Sequence, residues 1–112
     1  MKAIIAFSLA GIMAGAAGLA AAQSSTRIVS DGYFGCAHRE YLEKLANFAA
    51  DNDQEAFRRG LVAGLLAGEC IKFNAGDQVF VTDTAMFSGF VQVRPRGEVQ
   101  GFWTVSKAIN SR

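Results

Sequence analysis

The sequence predicts an α+β fold in which a helical hairpin, placed N-terminally, packs on a small antiparallel β-barrel or sheet. Three observations carry this reading. Apolar residues recur at three- and four-residue spacing between Ala37 and Ala67. Valines and aromatics alternate at two-residue spacing between Gln78 and Val105. Two cysteines, Cys36 and Cys70, bracket the helical stretch.

Residues 1–22 read as a secretory signal peptide. Lys2 supplies a positive start, Ala3 to Leu19 is almost wholly apolar, and Ala20-Ala21-Ala22 offers small residues to a peptidase. The competing reading is an uncleaved anchor, since a span needs roughly 20 apolar residues. Ala and Gly dominate the segment rather than Leu and Ile, so no stable membrane insertion is expected after cleavage. Residues 23–112 then form a single mature domain, with the hairpin at about 37–70 and the β part at 71–109. Its expected location is periplasmic or secreted.

The 11 basic residues include Lys2, so the mature chain balances its 10 acidic residues with an equal number of basic ones. Nucleic-acid binding needs clustered positive charge and is not expected. In an oxidising compartment Cys36 and Cys70 are expected to form a disulfide. Loop closure of this length contributes roughly 3–4 kcal/mol. A metal site built from Cys36, His38 and Cys70 lacks a fourth ligand and a C-x-x-C spacing, so neither metal nor cofactor is expected.

Taken in order, Gln23 to Ser30 is polar around Arg27-Ile28-Val29 and is either a lead segment or a short strand. Asp31-Gly32 signals a turn. Ala37 to Ala50 reads as the first helix, with Leu42, Leu45 and Phe48 on one face and Glu40, Glu43 and Lys44 on the other. His38, the single histidine, sits at its start. Asp51 to Glu55 is a break with helix-capping chemistry. Gln54 to about Ala67 is the second helix. Its Gly60, Gly64 and Gly68 repeat points to close approach by another backbone or an aromatic ring, and Gly68 is placed to end the helix.

Strands are expected over Gln78 to Thr82, Phe90 to Arg94 and Val99 to Val105, with a short turn over Ser106 to Ile109. Val79, Val81, Val91, Val93 and Trp103 are assigned to the interior. Phe80, Phe90 and Phe102 then face outward together, either covered by the hairpin or open as a groove for a peptide or glycan.

The order Gly76-x-x-Val79-x-Val81, Gly89-Phe90-Val91-x-Val93-Arg94, Gly97, Gly101-Phe102-Trp103-Thr104 and Ala108-Ile109 resembles bacterial SH3-like domains. The resemblance covers the C-terminal part only. The hairpin stands where those domains have an opening extended segment. The barrel is therefore expected to be incomplete, or completed by Arg27 to Val29 or Ile71 to Phe73.

There is no nucleophile elbow and no phosphate-binding loop. With the resemblance, this implies an exported, non-enzymatic module that binds a periplasmic protein or peptidoglycan. The alternatives are a small inhibitor or accessory protein of an enzyme, and a cell-wall hydrolase dependent on His38. The candidate binding residues are Met86 and Phe87 in the Asp83–Gly89 loop, Arg94 and Arg96 around Pro95, and Phe90 and Phe102.

Overall fold

The computed structural model describes residues 24–85 and 88–110. The expected signal peptide lies outside them. Among the described residues the architecture is α+β, with two helices and a six-stranded antiparallel sheet. The elements in chain order are β1 (Ser24–Arg27), β2 (Phe34–Cys36), α1 (Arg39–Ala50), α2 (Gln54–Ala67), β3 (Cys70–Lys72), β4 (Gln78–Ala85), β5 (Phe90–Pro95) and β6 (Phe102–Val105). A single 3-10 turn, Ser106–Ala108, follows.

The sheet order is β1-β4-β5-β6-β2-β3. The hairpin is therefore not N-terminal to the sheet, as the sequence suggested. Two strands precede it, and it emerges between β2 and β3, which pair with each other. Of the two segments expected to complete the β part, Ile71 and Lys72 lie in β3, whereas only Arg27 of Arg27 to Val29 lies in a strand, β1.

The hairpin forms for local reasons. Asp51 closes α1, and Asn52 adopts a left-handed conformation at φ 61°. Asn52 N–H donates to the Ala49 carbonyl and Asp53 N–H to that of Phe48, the paired bonds of a Schellman cap. Asp53 then caps α2 by accepting from Ala56 N–H at 3.1 Å. Gly68, at φ 79°, ends α2.

Within the hairpin, close approach explains the glycines. A Cβ on Gly60 would lie 2.7 Å from Leu45 Cδ2, and one on Gly64 would lie 2.7 Å from Cys70 Sγ and 3.1 Å from the Tyr41 ring. Tyr41 Oη donates to the Gly60 carbonyl at 2.7 Å. The expected aromatic in this groove is thus Tyr41 of α1, and no sheet phenylalanine occupies it.

Two apolar clusters lie on opposite sides of the sheet. One comprises Ile28, Phe73, Val79, Val91, Val93, Phe102 and Ala108. The other joins Leu42, Leu45 and the Cys36–Cys70 disulfide, with Phe34, Phe57, Phe90 and Trp103 packed around them. Register decides which residue faces which cluster. Phe102 is opposite Val93, whereas Trp103 is opposite both Gln92 and Cys36. Opposed residues project to the same side. Phe102 therefore joins the valines, and Trp103 turns toward the helices. The sequence-based assignment had these two reversed. β6 starts only at Phe102, and Val99 is left 98% exposed.

Cys36 and Cys70 are directly opposed in β2 and β3, so the disulfide joins strands beneath the hairpin. Thr104, fully buried, donates its hydroxyl to the Phe34 carbonyl at 2.7 Å and so strengthens the short β2–β6 pairing.

Candidate functional site

The hairpin covers only part of the sheet. Its helices contact β2, β3 and β6. On the same side, the β4 and β5 portion carries Phe80, Gln92 and Arg94, all half-buried, bordering Trp103. This open portion is the candidate surface.

Each of its aromatic rings is met by a guanidinium. The Arg94 guanidinium carbon lies 4.6 Å from the Phe80 ring centroid. That of Arg39, at the start of α1, lies 5.6 Å from the Trp103 ring. Such stacking uses the ring's negative face and leaves guanidinium N–H groups directed outward from the contact. Arg94 Nη1 also donates to the Glu98 carbonyl at 3.0 Å, which fixes the Arg96–Glu98 turn against β5. Gln92 is held by Thr82, whose hydroxyl donates to Gln92 Oε1 at 3.0 Å across an irregularity in β4 between Val81 and Asp83. The Gln92 side chain also fills the space over Gly101, where a Cβ would lie 3.0 Å from its amide carbon. The surface is therefore ordered by its own hydrogen bonds before any ligand arrives.

The sequence-derived candidates separate on this geometry. Arg94 and Arg96 lie beside the open portion of the sheet. Phe90 is half-buried and packs with Trp103 under the hairpin. Phe102 is only 4% exposed and belongs to the valine cluster on the far side, so its ring is not available to a surface ligand. Met86 and Phe87 lie outside the described residues. Sequence reasoning passed over Arg27, Arg39 and the stacking role of Phe80. Alternation marked Phe80 as outward, but nothing local indicated that Arg94 would stand opposite it.

His38 forms a second polar feature. Its Nδ1 is 2.9 Å from Glu69 Oε1, and its backbone N–H donates to Glu69 Oε2 at 2.8 Å. Ala37 N–H donates to the Glu69 carbonyl at 2.7 Å. The hydrogen bond and charge of Glu69 raise the His38 pKa above its ordinary value. The pair sits where α1 begins and α2 ends, next to the disulfide, and clasps the base of the hairpin. Among the described residues no group of three or more His, Cys, Asp or Glu side chains is placed to hold a metal ion. A shallow depression near the start of α2, lined by Asp53, Glu55, Ala56 and Arg59, is accounted for by the helix cap and the Glu55–Arg59 ion pair at 2.7 Å. No described helix is long and apolar enough to cross a membrane.

Set against known proteins, the chain matches no protein-family model, no curated protein and no solved structure.

Proposed function

We propose that the chain is an exported, non-enzymatic binding module that takes a periplasmic protein or a cell-wall component on the open portion of its helix-side sheet face. The observation that carries this reading is the pair of guanidinium-stacked rings, Arg94 on Phe80 and Arg39 on Trp103, left beside the hairpin on a pre-ordered surface. Flat rings with neighbouring hydrogen-bond donors suit a peptide or a glycan. The disulfide supports export, because such bonds persist in oxidising compartments. The SH3-like reading of the β part rests on the sequence resemblance of residues 76–109.

Co-sedimentation with purified peptidoglycan tests the wall version. Enrichment in the pellet that is lost in a Phe80→Ala/Arg94→Ala double variant supports it. Absence of enrichment over a control protein removes the wall and leaves a protein partner. Affinity capture from a periplasmic extract, again compared with the double variant, then decides whether this surface binds at all.

A further inference from the structure

The same side of the sheet carries a cationic patch at its β1 end, and the strand register defines it. Arg27 is opposite Gln78. Arg96 extends that row: its backbone N–H donates to the Gln78 carbonyl at 3.0 Å and its Nη1 to Gln78 Oε1 at 3.2 Å. In the next row Ser25 is opposite Phe80, and Phe80 is opposite Arg94. Gln78 Nε2 donates to Ser25 Oγ at 2.8 Å and ties the rows together. Three arginines thus share two adjacent rows around one ring and one amide.

Neither row contains a carboxylate. The next acid in register on this face is Asp83, opposite Gln92 and beyond the irregularity in β4, and its Oδ1 accepts the Thr84 N–H. Arg27 donates to the Gly76 carbonyl at 2.9 Å and Arg96 to the Gln78 amide. Among the described residues neither arginine forms an ion pair. Neutral acceptors occupy part of each guanidinium's five N–H groups, and the remaining donors can meet a carboxylate.

We propose that this patch binds an extended acidic peptide segment of a partner protein. The proposal rests on the binding-module reading and adds the chemistry of the ligand. Spacing favours a peptide. Arg94 and Arg96 are two residues apart on one strand, about 6.8 Å, which is also the repeat of alternate side chains in an extended chain. Arg27 and Arg96 are two strands apart, about 10 Å, so Arg27 widens the patch across the strand direction. Guanidinium groups bind carboxylates through paired N–H donors, and the Phe80 ring stacks on the Arg94 guanidinium within the patch.

The test uses a labelled peptide alternating Glu with Val, and its counterpart with Gln in place of Glu, titrated into the oxidised full chain by fluorescence anisotropy. The Glu peptide should bind at least about tenfold more tightly, as expected for charge-assisted pairs. That preference should shrink with added salt, vanish in Arg27→Glu/Arg96→Glu, and persist in Arg27→Lys/Arg96→Lys. Both variants should keep the parental melting temperature, since the changed side chains are exposed. Equal binding of the two peptides, or an unchanged preference in the folded Glu variant, overturns the proposal. Tighter binding of inorganic polyphosphate than of the Glu peptide at matched charge also overturns it, in favour of a phosphate polymer. If a native partner is captured equally by the parent and by Arg27→Glu/Arg96→Glu, the binding module stands and the acidic ligand falls. If the Glu peptide binds but neither wall material nor any periplasmic protein does, the binding-module reading falls, and the partner segment proposed on it falls with it.

Discussion

The two ends of the sheet are built differently on their helix side. At the β2–β3–β6 end, the hairpin, the disulfide and Trp103 enclose a dry cluster in which Cys36 and Leu45 have no exposed surface. At the β1–β4–β5 end the hairpin reaches only Phe90 at the start of β5, and the rest of that face is finished with arginine, glutamine and one stacked phenylalanine. The far side is closed under both ends by the valine cluster. One end can therefore carry stability while the other presents chemistry, and substitutions at the two should have separable effects.

The largest expected effect is at the covered end. Removing the disulfide with Cys36→Ala/Cys70→Ala should cost roughly 3–4 kcal/mol by loop-closure entropy, read as a lower denaturation midpoint. Mass measurement should show two thiols only after reduction. Gly64→Ala comes next, because the new methyl meets the disulfide sulfur and the Tyr41 ring; overpacking of this kind costs about 1–3 kcal/mol. Thr104→Val removes a buried hydroxyl that satisfies the Phe34 carbonyl and should cost about 1–2 kcal/mol. If Arg94→Ala at the open end destabilised the fold as much as these do, the division between the ends would fail. Its cation–π contact is worth only about 0.5–1 kcal/mol at an exposed site.

The smallest effect concerns pH. The folded-state pKa of His38 is raised, so the contribution of its pairing with Glu69 is fully present below the unfolded pKa and is lost as pH rises through the folded one. The stability difference between the parent and His38→Gln should narrow across that window. An NMR titration of the His38 ring should show the raised pKa, and Glu69→Gln should return it toward the ordinary value. An unshifted titration in the parent would remove the clasp from the account.

Much of the fold was legible because it rests on local signals. Asp53 as a cap, Gly68 as a stop and the α1 apolar face all follow from residues within one or two turns. The disulfide followed from two cysteines and a compartment. What was not legible depends on distant pairing. Phe102 and Trp103 are adjacent, and only their opposite neighbours, Val93 and Gln92, decide which side each takes. The same holds at the candidate surface. Arg94 could be named from its position before Pro95, but its seat on Phe80 required the β4–β5 register, and the place of Arg27 required the pairing of β1 with β4 across some 50 residues of chain.

The position of the hairpin also bears on the order of folding. Residues 34–72 form a contiguous β2-α1-α2-β3 unit with its own cross-strand pairing, its own clasp and its own covalent closure. Its helices pack locally and its strands meet across 34 residues at the disulfide, whereas β1 must wait for β4 and β2 for β6, both at greater separation. Local contacts form sooner than distant ones. As the chain is made from its N-terminus, the cysteines can be brought together before β4 to β6 exist. We therefore expect oxidation to precede completion of the sheet, with α1 and α2 gaining protection from hydrogen exchange ahead of β1 in a pulse-labelled refolding experiment.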